Sequence, residues 1–116
     1  MTRSEWDAAM VRYMHRSDLS ADLDQVFDYA TSKIENAWMR KNVLSGTTPM
    51  FNSADDMLAY APLPYLHAGL MYFQELVQDD EGMMREMTRF SDEMSTVQHK
   101  WSRDNVTPRM EVSYAT

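Results

Sequence analysis

Cysteine is missing from this 116-residue chain. With it go a disulfide frame, a thiolate zinc site and a thiol nucleophile. No apolar run approaches the roughly eighteen residues that span a membrane, and no basic-then-apolar leader opens the chain. A cytosolic origin with no membrane partner is the expectation. Glycine is scarce, and of the three present Gly46 and Gly69 do not form a phosphate loop. Basic residues are the minority, 11 Lys and Arg against 18 Asp and Glu, for a formal charge of −7. Such a chain is repelled by phosphate, and no Lys/Arg cluster reverses this locally. Sequence-reading DNA or RNA binding is not expected, although an acidic protein can surround DNA without gripping it.

What is present is ordinary globular material, 44% hydrophobic and 25% charged, in a length that suits one domain with a modest core. Methionine is abundant, with 12 residues. Its flexible thioether fills irregular gaps in helical cores and also serves adaptable contact surfaces. Both uses are expected here.

The apolar spacing predicts helices nearly throughout. Ser4 with Asp7 three residues on reads as a capping-box-like start to a helix over 4–14, with Trp6, Ala9, Met10 and Tyr13 on one face. A second helix over 20–42 carries Leu19, Leu23, Val26, Phe27, Ala30, Ile34, Ala37 and Trp38, all spaced by threes and fours. Asp22 and Asp24 at its start and Arg40 and Lys41 at its end suit the helix dipole. "SGTTPMFNS", 45–53, reads as loop. Ser53 with Asp56 then starts a short helix through Met57, Leu58 and Tyr60, which "APLP" breaks.

A third main helix over 65–78 is expected to turn Leu66, Gly69, Leu70, Phe73, Leu76 and Val77 inward. A fourth over 80–103 spaces Met83, Met87, Phe90, Met94, Val97 and Trp101 as a bundle seam. Phe27, Ile34, Phe73, Phe90 and Val97 are the expected core. The fold class is all-α: a small bundle of four main helices over 1–103, followed by an extended C-terminal arm over 104–116.

Candidate chemistry is thin. "HRSD", 15–18, sets His, Ser and Asp side by side, yet a triad needs its members brought together by the fold. Arg16, Ser17 and Asp18 read instead as a structural corner that caps the next helix. His67 and His99 can meet acids such as Glu75 or Glu93 across the bundle, but neither H-E-x-x-H nor E-x-x-H occurs, and both read as structural or surface histidines. The aspartate pairs 55–56 and 79–80 sit at helix starts. No catalytic residue, cofactor site or metal site is assigned.

Two stretches carry a family likeness. "YMHRSDLSADLDQVFDYATSKIENAWMRKNV", 13–43, resembles the N-terminal half of the adaptor, or head-to-tail connector, proteins of tailed bacteriophages. "DDEGMMREMTRFSDEMSTV", 79–97, resembles their later acidic turn and aromatic-centred helix. The resemblance implies a virion protein made in the host cytoplasm and located in the neck. It implies a ring, a dodecamer of copies, below the portal protein, with a tail or nozzle protein beneath. Genomic DNA would pass through without specific binding.

The final ten residues, "TPRMEVSYAT", differ from the rest. Met110, Val112 and Tyr114 alternate with Arg109, Glu111 and Ser113 at the period of a strand, and Pro108 ends any helix before them. A lone strand leaves its ladder groups unpaired, so the segment reads as an arm for another chain. The resemblance implies that this other chain is the portal, with Pro108, Arg109, Met110, Val112 and Tyr114 as the portal-binding residues. Two other functions stay open: a small helical enzyme or cell-wall-acting factor using clustered acids, and a cytosolic helical regulator that dimerises through the fourth-helix seam.

Overall fold

Thr2 and Glu5, not Ser4 and Asp7, start the first helix, α1 (Arg3–Met14). The Glu5 N–H donates to Thr2 Oγ1 at 3.2 Å, and the Thr2 N–H donates to Glu5 Oε1 at 2.9 Å. This is a reciprocal capping box, and glutamate has the length to reach back where aspartate falls short. Asp7 instead accepts from Arg3 Nε at 2.8 Å. The hydrogen bonds from Thr2 hold the Glu5 carboxyl below its ordinary range. The computed structural model describes residues 1–14, 22–39, 42–44 and 49–105. Among them lie five helices and no strand.

α2 (Leu23–Ala37) buries Leu23, Val26, Phe27, Ala30 and Ile34, the stripe its spacing predicts. It ends five residues before the expected 42, because Trp38 turns extended at φ −73° and ψ 132°. That turn sends the indole into a cluster with Phe51 at 5.7 Å and Trp101 at 6.4 Å between ring centres. Packing overrides helix continuation there. Arg40 and Lys41 lie outside the described residues, and the last turn of α2 holds no basic side chain.

α3 (Ala54–Tyr60) starts as expected, with Ser53 Oγ accepting from the Asp56 N–H at 3.2 Å. α4 (Pro62–Leu76) starts three residues earlier than 65. "APLP" therefore both closes one helix at Ala61 and opens the next. First-turn N–H groups have no intrahelical acceptor, so proline loses nothing there. α5 (Asp80–Asn105) runs two residues past the expected 103 and so includes the first residues of 104–116.

α4 is the central helix and packs against α1, α2, α3 and α5. Its buried residues are Pro64, Tyr65, Ala68, Gly69 and Met71, whereas Leu76 is 58% exposed and Val77 is exposed too. The single inward stripe expected for this helix is corrected accordingly. A helix that is apolar on most sides does not reveal from spacing which side is innermost. Phe73 and Val97, expected in the core, are half-buried, while Phe27, Ile34 and Phe90 are buried. In α1, Met14 is buried and Tyr13 is 54% exposed.

On one side of α4 the Trp6 and Phe27 rings meet edge-on at 5.3 Å, and Phe27 stacks on Tyr65 at 5.1 Å. Gly69 permits this closure, since a Cβ there would lie 2.5 Å from Met10 Sδ. On the other side α4 turns directly into α5. The Asp79 N–H donates to the Gln74 carbonyl at 2.9 Å and the Gln78 N–H to the Glu75 carbonyl at 3.1 Å. This Schellman-type closure places Gln78 at φ 61°. Asp79 then caps α5, accepting from the Gly82 N–H at 3.0 Å.

Candidate functional site

Between α4, α5 and the end of α1 lies a groove of about 350 Å³. Its apolar surface comes from Leu63, Leu66 and Leu70, its outer wall from Tyr13, and its charged wall from Arg85 and Arg89. Below the arginines sits Glu86, 3% exposed, the one charged residue buried among those described.

Both oxygens of that carboxylate are engaged. Oε2 lies 2.7 Å from His67 Nδ1, and Oε1 lies 3.4 Å from Arg89 Nη1 and 3.9 Å from Arg85 Nε. A buried carboxylate is tolerable only with such partners, since leaving it unpaired costs several kcal/mol, on the order of 3–5. The cluster ties α4 to α5 and holds two guanidinium groups at the groove's edge. A carboxylate can orient an imidazole for acid–base work, but a reaction also needs an attacking group within reach. Among the described residues that line this groove there is no Ser, Thr or Cys.

Sequence reasoning passed over Glu86. Met83, Met87 and Phe90 are spaced 4 and 3, and Met83, Glu86 and Phe90 are spaced 3 and 4, so both sets are helical stripes. Counting apolar residues alone selects Met87, which is 47% exposed. The signal for Glu86 was the pair Arg85 and Arg89 beside it, with a histidine on the neighbouring helix. His67 is thus a satisfied histidine, and its acid is Glu86, not Glu75 or Glu93.

His99 is exposed and lines a separate cleft of about 500 Å³ with Trp38, Met39, Gln98 and Ser102. Beside it Trp38, Phe51, Tyr60 and Trp101 form an aromatic cluster, with Lys100 Nζ 4.9 Å from the Tyr60 ring centre. Burial is the main cause that pushes the Tyr60 hydroxyl up from its ordinary pKa. Among the described residues, no three of His, Cys, Asp and Glu come together as a metal site. Among them, too, no helix is long and apolar enough to cross a membrane.

The expected arm residues Pro108, Arg109, Met110, Val112 and Tyr114 lie outside the described residues, as do Arg16, Ser17 and Asp18 of the expected corner. No family model matches the chain, and no curated protein or solved structure shows significant similarity to it.

Proposed function

We propose that this chain is a structural adaptor of a tailed-phage virion, a head-to-tail connector. It forms a ring below the portal, joins capsid to tail and continues the DNA channel. The reading is carried by the resemblance over 13–43 and 79–97. A physical observation supports it. The bundle keeps large apolar side chains in water, among them Met39 at 92% exposure, Met84, Leu76, Tyr13 and Met87. Singly exposed apolar residues occur on most proteins, and what favours assembly here is that three of these five are methionines, which suit adaptable contact surfaces.

In this reading the protein is a four-main-helix bundle with an extended arm. The bundle makes the ring, and the C-terminal arm climbs onto the portal with Met110, Val112 and Tyr114 as anchors and Pro108 and Arg109 at its base. A tail or nozzle protein docks below. No cofactor takes part, and the genome passes an acidic or neutral wall without specific binding. Ordering a short arm costs entropy, so a single copy binds weakly and a ring of copies gains by avidity.

The test mixes purified portal rings with the full chain and with a chain ending at residue 105, then reads occupancy by cryo-microscopy and particle mass. Full occupancy by the full chain and loss of it in the shortened one is expected. No attachment by the full chain would overturn the connector reading, and equal attachment by both would remove the arm from it.

A further inference from the structure

His67 keeps one ring nitrogen free. Its Nδ1 lies 2.7 Å from Glu86 Oε2. An ionised carboxylate only accepts, so the proton of the neutral imidazole sits on Nδ1 and the lone pair on Nε2. Nε2 has no hydrogen-bond partner among the described residues and is not one of their buried unpaired atoms. It therefore opens onto the groove, which the His67 side chain lines at 19% exposure. No Ser, Thr or Cys is needed there if the attacking group is the imidazole itself.

The surroundings select what such a nucleophile attacks. Arg85 and Arg89 stand one turn apart on α5, and both touch the carboxylate that holds His67, through its other oxygen. Those contacts are long, 3.9 and 3.4 Å, and each engages one nitrogen of a side chain more than half exposed. A guanidinium has five N–H donors, so most remain for another acceptor. Two guanidinium groups beside a nucleophile match a phosphoryl group, whose three oxygens carry about two negative charges. Phosphoryl transfer asks the protein for little besides position and charge. Leu63 and Leu70, four residues before His67 and three after it, share its face of α4 and make the flanks of the nitrogen apolar.

We propose that His67 is a phosphoryl acceptor, modified on Nε2 by a small donor of the phosphoramidate class. The Nε2 lone pair attacks phosphorus, and an Nε2–P bond forms as the donor's N–P bond breaks. The donor's nitrogen keeps the electron pair of that bond and leaves as the neutral amine, ammonia for phosphoramidate itself. The ring becomes cationic, with its Nδ1–H still on Glu86 Oε2, until the amine or water takes that proton. Neither guanidinium gives up a proton, so the donor is one whose nitrogen is protonated before it leaves. Arg85 and Arg89 hold the phosphoryl oxygens, and Glu86 is a positioning residue that fixes the tautomer. The proposal does not depend on the connector reading, and portal attachment enters none of its readouts.

Potassium phosphoramidate is the probe, applied to the full chain at about pH 8, above the ordinary range of histidine. Intact mass counts phosphoryl groups, peptide mapping in neutral solution locates them, and phosphorus NMR distinguishes the Nε2 from the Nδ1 product. His99 is exposed and serves as the internal control. Exposure alone favours His99. His67 should instead react faster by about tenfold or more, the rate equivalent of one charge-assisted hydrogen bond, and on Nε2 alone. Arg85→Gln with Arg89→Gln should remove that advantage and leave His99 unchanged. Glu86→Gln should slow His67 and let its neutral ring populate the Nε2–H tautomer as well, read by nitrogen NMR, a signature that a merely structural role would not move. Melting curves check that the variants fold, and the comparison of His67 with His99 in the wild type needs no variant. A His67 that reacts no faster than His99, or that reacts on Nδ1, overturns the proposal. An undiminished rate in the arginine variant overturns it too, and an unchanged rate and tautomer in Glu86→Gln overturns the role given to Glu86.

Discussion

The two sides of α4 are sealed by different means. Toward α1 and α2 the contact is apolar and the more closed of the two, with Trp6, Met10, Ile34 and Tyr65 fully buried. Toward the first half of α5 the packing is looser, with Met83, Leu66 and Leu70 half-buried and Glu86 held by His67 and Arg89. Interlocked aromatic rings fill most of the volume there and leave only a small opening of about 130 Å³ beside Met14, Val26 and Phe73. A charge cluster needs its partners at the rim, and a rim leaves a groove. The difference separates a side that supplies most of the stability from a side that keeps a groove.

Truncation of the closed side should have the largest effect. Phe27→Ala removes a ring packed on both Trp6 and Tyr65 and should destabilise by about 3–5 kcal/mol. Phe90→Ala on α5 should fall at the lower end of the same range, about 3 kcal/mol, because its surroundings can collapse toward the groove. Urea unfolding of both variants checks the order. A larger loss from Phe90 would mean that the α5 side is the better packed of the two.

Breaking the charge cluster should cost less. Glu86→Ala should destabilise by about 1–2 kcal/mol, below the usual figure for a broken buried pair, because both arginines are more than half exposed and keep their hydration. Replacing the hydrogen-bonded pair outright, as Glu86→Leu with His67→Leu, should cost less than Glu86→Ala alone, since no imidazole is then left without its acid. If the double variant were the less stable one, the cluster would contribute more than its own desolvation takes away.

Tyr65 offers a pH probe of the closed side. Its hydroxyl lies 2.9 Å from Thr31 Oγ1, and burial is the main cause that pushes its pKa up to about 12. The unfolded chain releases this proton near pH 10, about two units earlier. The folded state is therefore favoured fully below about pH 10 and loses that advantage as pH rises to about 12. Tyr65→Phe should lose about 1 kcal/mol at neutral pH for the missing hydrogen bond. It should also flatten this part of the alkaline limb of stability against pH. An unchanged limb would show that the hydroxyl already reaches water.

Sequence spacing made α2 plain, because its apolar residues lie on one stripe and its other faces are polar. It also located the starts of α3 and α5, where side-chain caps are local and depend on residues three apart. It failed where the deciding interaction was long-range. Trp38 leaves its helix for Phe51 and Trp101, and the sequence holds no local break at that point. For α4, apolar on most sides, spacing could not say which side faced inward. The groove was illegible for a related reason. Its carboxylate sits on an apolar stripe, where a count of hydrophobic residues skips it, and its histidine comes from the preceding helix.

The smallest expected effect concerns the joint between the two sides. Gln78 occupies the left-handed position, φ 61°, of the turn that joins α4 to α5. Its backbone N–H is used by the closure, and its side chain is exposed. A side chain with a Cβ pays about 1 kcal/mol to sit in this conformation, and glycine does not. Glycine also adds freedom to the unfolded chain, which offsets part of the gain. Gln78→Gly should therefore stabilise by about 0.5 kcal/mol, seen as a rise of a few degrees at most in Tm. The result bears on why the α5 side is looser. If relieving the turn also slowed hydrogen exchange in the first half of α5, strain at the joint would share responsibility for the looseness. If only Tm moved, with exchange along the groove unchanged, the looseness would belong to the groove itself, where half-exposed leucines and arginines face water.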